Sequence, residues 1–263
     1  MSDSEPRVIV DIQDHVAHVK LNRPDKMNAL DDAMFEGIIA AGEQLKEDKT
    51  IRAVVLSGEG RAFCAGLDMG NFAGMANGNS SASKDPAEKS DIPGRLEKRT
   101  HGLANRPQFS SWVWREVPVP VIVAMHGVAY GGGCQISVGA DMRYAAPGTK
   151  ISIMEMKWGI VPDMAGTQLW SRFVREDIIR ELTYTARIFN GDEAHQHGFA
   201  TRLTETPLDD AMATAQQIAN KNPDAIRAAK RLIDNQIPTD AAAGLLAESV
   251  AQTAIIKTPN QIE

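Results

Sequence analysis

Five short apolar runs rich in β-branched residues recur along the chain, and each is bounded by Gly, Pro, Asn or Asp. They occupy residues 8–12, 15–21, 51–56, 119–125 and 151–153, and such runs are typical of buried β-strands. A helical periodicity lies between the second and third runs at 31–47, behind the capping candidates Asp31 and Asp32. Because strands alternate with helices, the sequence predicts an α/β fold.

The last third of the chain has a different pattern. Beyond residue 165 the strand pattern disappears, and residues 208–220, 223–235 and 239–257 have helical patterns with Pro or Asp near their starts. We therefore expect a core at 1–200 and a helical region at 201–263 that either caps the core or joins subunits. Within the core, residues 69–109 predict a long loop, which is either a lid over a site or a disordered surface loop.

Charge and composition exclude several classes of partner. The 263 residues carry 28 Lys and Arg against 34 Asp and Glu, a formal net charge of -6, without a dense basic cluster, so nucleic acid and anionic membranes are not expected partners. No apolar stretch reaches the roughly 18 residues that a membrane span needs, and the first residues lack the pattern of a signal peptide. We expect a cytoplasmic protein whose two cysteines, Cys64 and Cys134, are reduced.

Two glycine-rich segments are candidates for binding a negatively charged oxygen. In the first, RAFCAGLD at 61–68, small residues let backbone amides face a cavity. In the second, HGVAYGGGCQ at 126–135, a predicted strand meets three glycines and then a helix, and such a junction presents unpaired N–H groups. Phosphate binding is the less favoured alternative, because neither a P-loop nor a complete G-x-G-x-x-G pattern is present.

A third segment, residues 154–167, places two carboxylates eight positions apart among apolar neighbours. Glu155, beside Met and Trp, is hard to ionise if it is buried, and a raised pKa suits a general acid or base. Asp163 is either a second functional carboxylate or the N-cap of the helical run that follows it.

Together these segments resemble the crotonase family, also called the enoyl-CoA hydratase/isomerase superfamily. The resemblance covers, in the family's order, residues 21–24, 28–30, 63–68, 127–141, 159–168 and 191–198. It implies a ClpP-like spiral of β-β-α turns with a C-terminal helical trimerisation region. It also implies a homotrimer or dimer of trimers, an acyl-CoA thioester as substrate, and no separate cofactor, since coenzyme A is part of that substrate.

The same resemblance assigns candidate site residues. By matching position, the backbone N–H groups of Leu67 and Gly132 form an oxyanion hole around the thioester carbonyl, where charge develops in an enolate. No metal is required. The expected substrate pocket consists of Ala65, Asp68, Gly131, Gln135 and Pro162. Lys26 is either a ligand of the coenzyme A phosphates or a solvated surface charge.

Two positions depart from the hydratase pattern of this family. Hydratases use two glutamates to hold and activate a water molecule, and Glu155 matches one of them, but Gln135 stands where the other is expected. A glutamine orients water but cannot exchange a proton at neutral pH. Asp163 stands where hydratases have a glycine and some family isomerases have an acidic residue.

These departures predict isomerisation of a double bond in enoyl-CoA or dienoyl-CoA, with Glu155 and Asp163 sharing the proton transfers. Hydration of 2-enoyl-CoA is the first alternative. The second is a non-catalytic protein that binds acyl-CoA.

Overall fold

The computed structural model describes residues 5–68, 70, 96 and 98–235. The strands in this part of the chain are β1 (Val8–Gln13), β2 (Val16–Leu21), β3 (Ala53–Gly58), β4 (Val121–Met125), β5 (Val128–Tyr130), β6 (Met142–Ala145), β7 (Lys150–Ser152) and β8 (Arg202–Leu203). The helices are α1 (Asp32–Glu47), α2 (Arg106–Glu116), α3 (Gly132–Ser137), α4 (Gly166–Leu169), α5 (Glu176–Thr185), α6 (Gly191–Gln196), α7 (Pro207–Ala219) and α8 (Pro223–Asn235). Short 3-10 turns occur at Pro24–Lys26, Glu155–Trp158 and Trp170–Arg172.

Six of the strands form one sheet in the order β1-β2-β3-β4-β6-β8. The hairpin pair β1 and β2 is antiparallel, and the remaining neighbours are parallel. All five residues of β4 are buried, as expected for a central parallel strand whose two faces are both covered. A second, two-stranded parallel sheet pairs β5 with β7.

Helices cover both faces of the large sheet. Helix α1 buries Met34, Ile38 and Leu45 in the main core, together with Val113 and Trp114 of α2. On the other face, α7 packs its alanines against strand side chains. This second cluster contains Val16, Ala53, Val55, Ile122, Ala124, Tyr144, Ala211, Ala215 and Ala219. The fold is therefore a mixed α/β structure built around a mainly parallel sheet.

The predicted α/β class is confirmed, and each of the five apolar runs contributes to a strand. Helix α1 begins as predicted, because the Asp31 side chain accepts a hydrogen bond of 2.8 Å from the Met34 N–H. Helices α7 and α8 match the predicted patterns at 208–220 and 223–235 within one residue. The predicted helix at 239–257 lies outside the described residues.

Two expectations were wrong in detail. Strands do not end at residue 165, because β8 adds two residues to the sheet edge by pairing with Tyr144 and Ala145 of β6. The loop predicted over 69–109 is shorter, because α2 already begins at Arg106 behind a capping box formed by Asn105 and Gln108. The rest of that loop lies mostly outside the described residues. The domain boundary at residue 200 stays a prediction.

Candidate active site

A cavity of about 590 Å³ lies where several chain segments leave their strands. Its walls come from segments within residues 25–29 after β2, 65–68 after β3, 130–132 after β5 and 154–160 after β7. Ligands of open α/β sheets bind outside the carboxyl ends of the strands. The cavity has this position, and it contains most of the predicted site residues.

In the segment after β3, the N–H of Leu67 points away from Leu30, which is its partner in a parallel bridge. The Leu30 N–H donates to the Gly66 carbonyl at 2.8 Å, and the Asp68 N–H donates to the Leu30 carbonyl at 3.1 Å. In a parallel bridge of this kind, the peptide groups of the intervening residue point to the opposite side. Leu67 lines the cavity, and its N–H donates to no backbone oxygen of the described residues.

Gly132 supplies the second candidate N–H donor. It is the first residue of α3 and has no earlier turn of helix to donate to, and it lines the same cavity. Gly131 before it has φ +48° and ψ -115°, a backbone conformation that favours glycine.

The two donor segments run side by side. Cys64 and Ala129 form a parallel bridge, and the Tyr130 N–H donates to the Cys64 carbonyl at 3.0 Å. A methyl group added at Gly66 would lie 3.5 Å from the Gly132 nitrogen and only 2.5 Å from the Tyr130 oxygen. The pairing therefore places Leu67 and Gly132 on one wall, as an oxyanion hole requires.

Glu155 is the buried carboxylate of the cavity, with 6% of its surface exposed. Its Oε1 accepts a hydrogen bond of 2.6 Å from Gln135 Nε2, whereas its buried Oε2 has no hydrogen-bond partner among the described residues. Burial raises the pKa of Glu155. The hydrogen bonds from its own backbone N–H and from Gln135 oppose the rise, and the charge of Asp163 adds to it. Such a carboxylate is suited to exchanging a proton.

Gln135 lies behind Glu155 and outside the cavity lining. It is fully buried, and its Oε1 accepts hydrogen bonds from the backbone N–H groups of Met164 at 2.9 Å and Gly166 at 3.1 Å. Gln135, which was predicted as a pocket residue, therefore supports the side chain of the catalytic candidate Glu155. It is not placed to line the pocket itself.

The predicted pocket residues Ala65, Asp68 and Gly131 line the cavity, and so does Lys26. The Asp68 carboxylate is already engaged, because it accepts hydrogen bonds from the Gly70 N–H at 2.8 Å and from Arg23 Nη1 at 2.5 Å. The Gly70 N–H lowers the pKa of Asp68 most, and Arg23 and Lys26 add to this effect against the influence of burial. Asp68 thus connects the segment that contains Leu67 to the loop after β2.

Pro162 and Asp163 are half-buried and do not belong to the lining of the cavity. The interpretation of Asp163 as a helix N-cap was wrong, because α4 begins at Gly166 and its N-cap is Ala165, which has φ +66°. Asp163 nevertheless lies close enough to Glu155 for its charge to raise the pKa of that residue.

Comparison with known proteins gives a consistent result. The family model described as enoyl-CoA hydratase/isomerase matches residues 16–258. The chain belongs to this enoyl-CoA hydratase/isomerase family. A short-chain-enoyl-CoA hydratase of Clostridium acetobutylicum is 31% identical over 97% of this chain and 91% of its own length.

Two further relatives of this enoyl-CoA hydratase/isomerase family member are informative. The human mitochondrial Delta(3,5)-Delta(2,4)-dienoyl-CoA isomerase is 31% identical over 84% of the chain, and the chain spans 66% of its length, just under two thirds. A crystal structure of enoyl-CoA hydratase from Bacillus anthracis superposes with a TM-score of 0.83 at 29% identity, covering 98% of this chain and 93% of that chain. The crotonase fold predicted from the sequence is thereby confirmed.

Within this family fold, the sequence did not reveal the supporting role of Asn28. Its side chain is fully buried and its φ is +55°. Its Nδ2 donates to the carbonyl oxygens of Glu59, Ala62 and Phe63 at 2.8 to 3.1 Å, and its Oδ1 accepts from the Arg23 N–H at 2.8 Å. Asn28 thus connects the loop after β2 to the segment that leads to Leu67.

The cavity lining of this family member also contains side chains that were not predicted, among them Tyr130, Met154, Trp158 and Ile160. Trp158 and Ile160 are about two-fifths exposed. The sequence around these residues contains no signal that distinguishes a residue of the cavity wall from a residue of the core. Among the described residues, no group of three or more His, Cys, Asp and Glu side chains is arranged to hold a metal ion, and no helix is long and apolar enough to cross a membrane.

Proposed function

We propose that this member of the enoyl-CoA hydratase/isomerase family moves a double bond in an enoyl-CoA or dienoyl-CoA thioester. The observation that carries the proposal is the buried Glu155 carboxylate, which shares a cavity with the Leu67 and Gly132 amides and has one oxygen without a hydrogen-bond partner among the described residues. The similarity to a dienoyl-CoA isomerase and to a short-chain-enoyl-CoA hydratase supports an acyl-CoA substrate.

The reaction begins when a C–H bond that is acidified by the thioester breaks and its proton passes to the Glu155 carboxylate. The electron pair left behind delocalises onto the carbonyl oxygen as an enolate, which accepts hydrogen bonds from the Leu67 and Gly132 N–H groups. Loss of one donor of this type costs on the order of 100-fold in rate. The pair of Glu155 and Asp163 then gives one proton back to a different carbon of the conjugated system and regains its starting protonation state, so the product is an isomer of the substrate and no other reactant is consumed.

Asp163 is the second proton carrier of this proposal, and its charge already acts on Glu155. Gln135 takes no part in proton exchange, because an amide does not ionise at neutral pH. This is why isomerisation ranks above hydration, in which a water molecule must be both held and deprotonated. The pocket also includes Ala65, Asp68 and Gly131 in this proposal, and Lys26 contacts the coenzyme A phosphates.

Hydration of 2-enoyl-CoA is the second candidate function. It is favoured by the 31% identity to the Clostridium acetobutylicum hydratase, which extends over nearly the whole chain. The Glu155 carboxylate at the cavity is also an acceptor for a water molecule. A non-catalytic protein that binds acyl-CoA is the third candidate.

Purified protein assayed with 2-enoyl-CoA, 3-enoyl-CoA and 3,5-dienoyl-CoA separates these functions. We expect faster isomerisation than hydration and a decrease of about 100-fold or more in kcat for Glu155→Gln, because the proton acceptor is removed. Asp163→Asn is expected to lower isomerisation as well. Faster hydration with a harmless Asp163→Asn would favour the hydratase, and binding without turnover of all three substrates would favour the non-catalytic protein.

We further propose a cytoplasmic homotrimer or dimer of trimers that uses no metal and no cofactor beyond the coenzyme A of its substrate. Both the assembly and the C-terminal trimerisation region are supported by the family resemblance. The exposed apolar residues near the cavity mouth are consistent with a surface that a second subunit covers.

A further inference from the structure

The hydrogen bonds of Gln135 determine which way its amide faces. Its Oε1 accepts from two backbone donors, the N–H groups of Met164 and Gly166. Rotating the amide by 180° would point its NH2 group at these donors and bring its oxygen against Glu155 Oε1. All three hydrogen bonds would be lost in a fully buried site, where a polar group without a partner is unfavourable. The NH2 group therefore faces Glu155.

Building on the proposed function, we propose that Gln135 is a positioning residue that engages Glu155 Oε1 and so holds the Glu155 carboxyl group in place for proton exchange with the acyl chain. Gln135 Nε2 donates to Oε1 at 2.6 Å, and the buried Oε2 has no hydrogen-bond partner among the described residues, so the bond from Gln135 is the side-chain contact that fixes this carboxyl group. Gln135 itself lies outside the lining of the cavity, so it acts through Glu155 and not on the substrate.

A donor at this position has a second effect on Glu155. A hydrogen bond to a carboxylate stabilises its ionised form, and Gln135 thereby opposes the burial that disfavours ionisation. The other titratable groups that act on this site are the half-buried Asp163, whose charge favours protonation of Glu155, and the buried Cys134 thiol, whose own pKa is raised by burial and by Glu155. Gln135 thus keeps Glu155 available as a base over a wider pH range than burial alone would allow.

The substitution Gln135→Glu tests this role, because it reverses the donation and preserves the rest of the contacts. One oxygen of the new carboxyl group can still accept from Met164 and Gly166. The other replaces Nε2 beside Glu155 Oε1, at a distance where two carboxylates must share a proton. Gln108→Glu is the matched control: it makes the same change of charge in the capping box of α2, where Gln108 Oε1 accepts from the Asn105 N–H.

Two measurements are made on the wild type, both variants and Glu155→Gln. The first is infrared difference spectroscopy of the carboxyl band across pH without substrate, with Glu155 assigned by loss of its band in Glu155→Gln. The second is the pH dependence of kcat and KM with the best acyl-CoA substrate. In Gln135→Glu we expect Glu155 titration and the rising limb of kcat to move upward by about one pH unit or more, with KM within about twofold. Gln108→Glu should leave both unchanged.

The infrared titration separates this inference from the proposed function, because it needs no turnover. An unchanged Glu155 titration in Gln135→Glu overturns the positioning role, and so does a rise in KM with unchanged kcat, which would mean direct contact with substrate. Absence of turnover in the wild type overturns the proposed function alone. If Gln135→Glu does not fold, Gln135→Met replaces it, because it removes the N–H donor without adding charge and is expected to shift the titration in the same direction.

Discussion

At the scale of single residues, the cavity contains a carboxylate that is costly to ionise. Burial raises the pKa of Glu155 above its ordinary value of 4.5, so the folded protein retains a proton on this group over a pH range in which the unfolded chain has released it. The stabilisation from that proton is fully present below pH 4.5 and is lost as the pH rises through the folded pKa. Near neutral pH, the ionised Glu155 carboxylate therefore lowers the free energy of unfolding, and the protein retains this group for function at that cost.

This linkage predicts how Glu155→Gln changes the free energy of unfolding. An uncharged amide at this position does not carry the ionisation cost, so the variant should be more stable than the wild type at pH 8. The difference should shrink as the pH falls towards 4.5. Urea denaturation at several pH values measures it, with Glu43→Gln on the exposed face of α1 as the control. A stability gain that is independent of pH would show that the Glu155 pKa is not raised.

At the scale of helices and strands, local patterns predicted most of the elements, and distant partners determined the rest. Asp31 and the apolar face of α1 are local signals, and the helix formed where they predicted it. Strands β5 and β8 have three and two residues, and they exist because other strands pair with them. Runs this short contain too little sequence for a pattern.

In the candidate site, too, local patterns predicted some features and contacts between distant segments determined the others. The glycines at the start of α3 and the apolar neighbours of Glu155 are local signals, and they indicated a donor segment and the buried carboxylate, whereas the family resemblance assigned the individual donors. The N-cap at Ala165 and the place of Gln135 behind Glu155 depend on the path of the chain from Met164 to Gly166, which no local pattern encodes. Contacts that join distant segments are therefore where sequence reasoning failed.

Helix α8 provides a prediction at this scale, because one buried lysine connects it to the core. Lys230 is 7% exposed, and its Nζ bonds to Asp141 Oδ2 at 2.7 Å and to the Val119 carbonyl at 3.0 Å. Lys230→Ala removes the charged partner of the Asp141 carboxylate and a donor to the Val119 carbonyl, and we expect a loss of about 3 kcal/mol in the free energy of unfolding. Urea denaturation measures the loss, with the exposed Lys221→Ala as control. A loss below about 0.5 kcal/mol would contradict this account of how α8 is held.

At the scale of the whole molecule, exposed apolar side chains collect on two segments that touch. Trp158, Ile160 and Val161 follow Glu155, and they are 41%, 42% and 64% exposed. Helix α5 contacts this 3-10 turn, and Tyr184 on it is 65% exposed. Contiguous apolar surface of this kind is typical of sites that another molecule covers. Because this surface begins at the cavity, an assembly of subunits would also shield the site from solvent.

We therefore expect light scattering to give a mass of about 86 kDa, three times the 28.5 kDa of one chain, or twice that value for a dimer of trimers. Tyr184→Glu places a charge on the apolar surface and should lower the mass, since burying an unpaired carboxylate between subunits is unfavourable. Ile12→Glu, at a half-exposed position on β1, makes the same kind of change on another surface and should leave the mass unaltered. A wild-type mass of 28.5 kDa at micromolar concentration would contradict the proposed trimer and would leave this apolar surface open to solvent.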